Sequence, residues 1–267
     1  MGADKMSTFG EDTVTLAQRD RITSGGSKGN QPKWYKSGVW YKADFLGCEG
    51  LAEYICSCLL KASNIRSFVE YAPIRIIEAE SGRNYLGCKS YDFGTIVSGD
   101  VILLQLPEKF NVWLNPTDLA TDLATFCSGV AQIFGVDIIE DMKVMMQFDL
   151  IVGNEDRILR NFGLRQAGDQ FEFAPLFDHG LSLLSDITSP DRAISIEEIR
   201  YHPFGYARDN GNGLNELEIE PILINMDRFD REINKVAVYP QETVDRALGV
   251  LRQSLEETEG KLWANQR

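Results

Sequence analysis

Asp156, Asn161 and Asp178 carry the strongest chemical signal in the chain. Asp156 stands five residues before Asn161 in Gly153-Asn154-Glu155-Asp156-Arg157-Ile158-Leu159-Arg160-Asn161. From Phe162 to Phe177 the pattern predicts a hairpin turning around Ala167-Gly168-Asp169. Such a hairpin closes with Asn161 beside Asp178, and Asp156 on the loop leading in adds a second carboxylate. Magnesium takes oxygen ligands and few of them from protein, and a hydroxyl nucleophile needs a carboxylate to orient it and accept its proton. One amide and two carboxylates so gathered suit phosphoryl transfer. In a chain with 40 acidic residues the same spacing also arises by chance, and an Asp-rich loop that only caps a helix is spelled the same way. Asp149, inside the apolar stretch Phe148 to Val152, reads as structural, with its donors expected among the amides of the following loop.

Two upstream features fit the same chemistry. Glu53 is the only charge in Gly50-Leu51-Ala52-Glu53-Tyr54-Ile55-Cys56-Ser57-Cys58-Leu59-Leu60, a helix apolar on nearly every face and therefore largely buried. A carboxylate there needs a cation, and Lys42 at the end of the preceding strand is the natural partner. The alternative is a glutamate facing water at a gap in the packing. The loop Gly25-Gly26-Ser27-Lys28-Gly29 lets backbone amides approach a phosphate, over which the Lys42 ammonium would sit. The loop also spells GxSxG, but a nucleophile elbow needs a helix after the serine, and Gln31-Pro32 followed by a strand contradicts that. No Gly-Lys-Ser/Thr follows, which excludes a Walker A loop. A surface loop without a ligand has the same composition.

The elements that must position these groups divide the chain into unlike halves. Thr13 to Leu16 predicts a short strand. Lys33-Trp34-Tyr35-Lys36 and Val39-Trp40-Tyr41-Lys42 flank Ser37-Gly38 as a tight hairpin. A helix follows from about Glu49 to Lys61, then a second hairpin, Phe68 to Glu78 and Tyr85 to Tyr91, around Ser81-Gly82-Arg83-Asn84. Beyond Asp92-Phe93-Gly94 the period becomes helical: Leu119, Leu123, Phe126, Val130 and Ile133 follow a start at Asn115-Pro116-Thr117. A second helix runs from about Ile138 toward Val152, and a third follows Pro240 with Val244, Leu248, Leu251, Leu255 and Leu262 on its apolar face. The expected class is α+β and bilobal. A nucleotide-binding β-rich lobe at 1–92 joins a mainly helical catalytic lobe at 93–267, with a cleft between them.

Composition narrows the chemistry further. The 267 residues are 43% hydrophobic and 25% charged, an ordinary globular balance. A net charge of −13 opposes direct nucleic-acid or anionic-membrane binding unless the basic groups share one face. No apolar run approaches about 18 residues, and Met1 to Asp12 lacks a signal-peptide pattern. Five cysteines, Cys48, Cys56, Cys58, Cys88 and Cys127, contain no CxxC pair, which fits a reducing cytoplasm. Two histidines, His179 and His202, are too few for a histidine metal site or relay. The remaining materials are carboxylates, lysines and backbone amides.

At these residues the chain resembles the HipA-like kinases, and most closely the short bacterial CtkA-like protein kinases. The matching segments are the glycine loop, Trp40-Tyr41-Lys42, Gly50 to Tyr54, Leu86-Gly87-Cys88-Lys89, Gly153 to Gly163 and Ala174 to Asp178, within about Thr23 to Leu184. The resemblance implies a protein-kinase-like fold using ATP and Mg2+ to phosphorylate serine or threonine on protein substrates, the enzyme itself included. It makes Asp156 the catalytic aspartate, Asn161 and Asp178 the magnesium ligands, Lys42 a phosphate contact paired with Glu53, and Lys89, Ser90, Tyr91 and Asp92 the adenine-facing hinge. Because HipA-type relatives can phosphorylate a serine in their glycine loop, Ser24 and Ser27 become modification candidates. A phosphoserine there would oppose nucleotide phosphates. Many relatives carry a histidine two residues after the catalytic aspartate, where this chain has Ile158, so the ordering of that loop must come from elsewhere. About 20 residues precede the glycine loop, without the extra N-terminal subdomain of long HipA proteins, and a HipB-type antitoxin partner is not carried over. A lipid or small-molecule acceptor, or nucleotide binding without transfer, stays open.

Overall fold

The computed structural model describes residues 12–17, 21–22, 31–112, 114, 117–188, 219–233 and 236–266. Ser24 and the loop Gly25, Gly26, Ser27, Lys28 and Gly29 lie outside them. Among the described residues a curled six-stranded sheet and six helices make a mixed α/β fold resting mainly on one large core.

The sheet combines β1 (Thr13–Leu16), β2 (Arg21–Ile22), β3 (Lys33–Lys36), β4 (Val39–Ala43), β5 (Tyr71–Glu78) and β6 (Asn84–Tyr91) in the order β1-β5-β6-β4-β3-β2. Only β1 and β5 run parallel. Ser37 and Gly38 both have positive φ, 53° and 79°, the two-residue turn whose twist matches a hairpin. That turn sets the register Lys36↔Val39 through Lys33↔Lys42. Cross-strand partners share a face, so Trp34, Tyr41, Ile74 and Ile76 form an apolar cluster on one side. Lys33, Lys42, Cys88, Ser90 and Tyr71 stand on the other. The second hairpin strand begins at Tyr71 rather than Phe68, because Phe68 instead bridges Leu176 across the fold.

Helix α1 (Glu49–Lys61) lies on the Lys42 face against β5 and β6. Its contact requires Gly50, where a Cβ would come 2.5 Å from the carbonyl carbon of Gly87 and 2.7 Å from the amide nitrogen of Cys88. A side chain at this point would lift the helix off the strand, and Glu53 with it. The start of α1 is held by Glu49, whose carboxylate accepts from the amides of Phe45, Leu46 and Gly47 at 2.7–3.1 Å.

The remaining helices are α2 (Gly99–Gln105), α3 (Leu119–Phe134), α4 (Ile139–Val152), α5 (Met226–Ile233) and α6 (Gln241–Thr258). Helix α3 starts two residues after the expected signal, since Asp118 caps it by accepting from Thr121 N at 2.8 Å. Leu262 lies beyond the end of α6, yet it packs against the same core. That core gathers Leu51, Ile55 and Leu59 of α1 with Phe126 of α3, Phe148 and Ile151 of α4 and Leu251 of α6. The front helix is thus buried against the helical part as well as against the sheet. Strands β7 (Ile96–Ser98), β8 (Gly163–Ala167) and β9 (Gln170–Phe173) form a small antiparallel sheet, and β10 (Ile222–Ile224) pairs in parallel with β11 (Trp263–Asn265). The hairpin expected over Phe162 to Phe177 is β8–β9, shorter at its far end because Ala174-Pro175 leads the chain away toward Ser67. No helix among the described residues is long and apolar enough to cross a membrane.

Candidate active site

Lys42 is the hub of the cleft. Its Nζ lies 2.7 Å from Oε1 of Glu53 and 2.8 Å from Oδ1 of Asp178, joining strand, helix and the segment after β9. Burial disfavours the ammonium, but the carboxylates of Asp178 and Glu53 outweigh it and hold the lysine well above its ordinary pKa. The mirror effect appears on Asp178. Burial would raise its carboxyl, yet Lys42 and then Lys33 keep it well below the usual carboxylate range. Glu53 is deeper, at 2% exposure, and burial pushes its pKa up against the opposing pull of Lys42 and of the His179 amide, which donates to Oε2 at 2.8 Å.

The pair therefore makes a stability prediction. Lys42→Met strands a buried carboxylate, a change worth roughly 3–5 kcal/mol when one partner of a buried pair is lost. In thermal or denaturant unfolding, Lys42→Met combined with Glu53→Gln should destabilise less than the single changes summed, by roughly 1–3 kcal/mol. Strictly additive shifts would show that the contact does not couple them.

Asp156 and Asn161 reach the same cleft from the end of α4. Gly153, at φ 60°, terminates that helix in the left-handed conformation and turns the chain inward. The loop is then tied by its own side chains: Asp156 N donates to Asn154 Oδ1 at 3.1 Å, and Asn161 Nδ2 donates to the Asp156 carbonyl at 2.8 Å. A single 3-10 turn, Leu159–Asn161, delivers Asn161. Ile158 adds its amide, which donates to the Asp156 carbonyl at 2.9 Å. Glu53, Asp156, Asn161 and Asp178 line one opening, with Phe45, Leu46 and Leu181 as its apolar wall.

Asp178 has φ 60°, a strained backbone for a residue with a side chain. Its amide donates to Tyr71 Oη at 3.4 Å. The adjacent His179 ring is buried edge-on to Phe148, and burial drives its pKa down to about 3, so the imidazole is neutral at pH 7. Asp149 accepts from side chains, Asn154 Nδ2 at 2.8 Å and Arg157 at 2.7 and 3.0 Å.

Lys33 is a site residue that the sequence reading passed over. It faces Lys42 across the β3–β4 ladder, and no ion pair engages it among the described residues. Burial, then the charge of Lys42, lowers its pKa. The signal was available, since a two-residue turn at Ser37-Gly38 fixes Lys33 opposite Lys42 by counting. Of the four expected hinge residues, none lines the opening around Asp178. Ser90 shares the face of Lys42, whereas Lys89 and Tyr91 point to the opposite face. Asp92 holds the first hairpin, accepting from Tyr35 Oη at 3.1 Å and Trp40 Nε1 at 3.3 Å.

No protein-family model matches the chain, and no curated protein matches it in sequence. Among solved structures it is similar to the crystal structure of the Helicobacter pylori proinflammatory kinase CtkA, with a TM-score of 0.57. The match covers 91% of this chain and 94% of that chain at 14% identity. The two chains share a fold over nearly their whole lengths.

Proposed function

We propose that this chain is an ATP- and magnesium-dependent kinase of the HipA/CtkA-like type that phosphorylates serine or threonine hydroxyls of proteins, its own included. The observation that carries this reading is the single ammonium of Lys42 joining Glu53 to Asp178, in one cleft with Asp156 and Asn161. The shared fold with CtkA supports it. In this reading 1–92 form the nucleotide-binding lobe and 93–267 the catalytic lobe of a bilobal enzyme.

Asp156 orients the acceptor hydroxyl and takes its proton. Lys42, with Lys33 beside it, offers positive charge to the nucleotide phosphates. Lys89, Ser90, Tyr91 and Asp92 would form the adenine-facing hinge, with Ser90 on the face of Lys42. Asn161 and Asp178 present the oxygen donors that suit Mg2+, a hard cation that takes few ligands from protein. When bound there the metal would supply neutralisation of phosphate charge. Glycines 25, 26 and 29 with Ser27 and Lys28 would cover the phosphates, and Ser24 and Ser27 are the candidate autophosphorylation sites. Five free, buried cysteines fit a reducing, cytoplasmic setting.

The test is incubation of the full chain with γ-labelled ATP and magnesium, with and without a generic protein acceptor, followed by phosphoamino-acid analysis. Label on serine or threonine is the expected result. ATP binding without any label would overturn transfer and leave a nucleotide-binding scaffold. Label confined to an added lipid would overturn the protein acceptor.

A further inference from the structure

Arg157 is more deeply buried than any group that lines the cleft except Glu53, at 3% exposure, and it lies outside the opening itself. Its Nε and Nη2 donate to the two oxygens of Asp149 at 2.7 and 3.0 Å, a bidentate pair. Nη1 is spent differently. It donates to two main-chain carbonyls, that of Asn161 and that of Phe177, the latter at 2.8 Å. The first carbonyl belongs to one candidate metal ligand. The second is peptide-bonded to the other, Asp178.

We propose that Arg157 is the positioning residue that sets the separation of Asn161 and Asp178. One nitrogen spans the segment that enters the β8–β9 hairpin and the segment that leaves it. The other two nitrogens anchor it to Asp149, a fully buried carboxylate in the last turn of α4 that Asn154 also holds. The ligand residues are thereby referenced to the helical core rather than to their own loops. Asp178 needs such a reference, because its left-handed backbone is not a conformation it would keep unaided. Lysine cannot replace the arrangement: a compact ammonium can neutralise Asp149 but lacks the planar fork that reaches two carbonyls at once. The inference rests on the kinase reading, since it concerns where that reading places the metal.

Calorimetry of ATP binding by the full chain, once with magnesium and once with chelator, measures the affinity gained from the metal. Two variants are compared with wild type: Arg157→Lys, and Arg157→Met combined with Asp149→Leu, which removes both buried charges together. Residues that orient a metal ligand without touching the metal are typically worth 10–100-fold in metal affinity. Each variant should therefore unfold cooperatively, bind ATP in chelator within about threefold of wild type, and lose about 10–100-fold of the magnesium-dependent gain. A purely structural role would lower the melting temperature and leave that gain intact, and this result in either folded variant overturns the proposal. If neither variant folds, Arg157 is a determinant of the fold and the proposal is likewise overturned. If wild type itself shows no magnesium-dependent gain, the kinase reading fails and takes the proposal with it. A gain in wild type that persists in the variants defeats the proposal alone.

Discussion

Asp178→Ala should abolish the magnesium-dependent part of ATP binding. Asp178 is the one charged oxygen donor of the Asn161–Asp178 pair, and a neutral amide cannot replace a carboxylate toward a divalent cation. A residue that only orients a ligand is worth 10–100-fold, so removing the ligand itself should cost at least about 100-fold in the metal-dependent affinity. The fold should survive. Lys42 keeps Glu53 at 2.7 Å, and the Glu53 contact to the His179 amide does not involve the Asp178 side chain. Alanine accepts the positive φ at this position no more readily than aspartate does, so the backbone holds contributed by Arg157 and Tyr71 must carry it. Titration of ATP with and without magnesium reads the outcome. An unchanged affinity with magnesium would remove Asp178 from the metal site.

Asp156→Asn should lower phosphoryl transfer by at least about 100-fold, the lower end of what a positioned general base contributes. That factor corresponds to about 2.7 kcal/mol of transition-state stabilisation. Asparagine is isosteric, and the contacts that place residue 156 are made by its backbone: the amide to Asn154 and the carbonyl from Asn161. ATP affinity with magnesium and the melting temperature should therefore stay near those of wild type while label incorporation falls. The two variants thus separate binding from chemistry. Near-wild-type transfer by the asparagine variant would dismiss Asp156 as the base.

Several parts of this site were legible before any fold was known, and each for a local reason. Glu53 stood out because it is a single charge in an otherwise apolar helix, and a carboxylate buried there needs a cation. The β3–β4 hairpin follows from Ser37-Gly38, and the β8–β9 hairpin from the turn at Gly168, which has φ 64°. Lys33 was equally legible, because hairpin register is arithmetic once the turn is known. The end of the last hairpin was misjudged for a different reason. Beyond Ala174 the expected strand leaves its partner, because Leu176 pairs instead with Ser67 and Phe68, a contact that no local pattern announces.

The amino-acid sequence by itself pointed to the hairpins, to the long helices that start near Glu49, Leu119, Ile139 and Gln241, to Lys42 as the partner of Glu53, and to Asn161 and Asp178 at the mouth of one hairpin. All of these depend on side-chain period and turn chemistry, which act over a few residues. Only the tertiary structure decided that Lys42 also takes Asp178, 136 residues away, and that the side chains of Asn154 and Arg157 donate to Asp149. It alone assigned the remaining nitrogen of Arg157 to two distant carbonyls. Those choices are made where α1, the end of α4 and the segment after β9 converge. There each buried polar group must find a partner among whatever the packing brings near, and that set is unknown until the whole chain has folded.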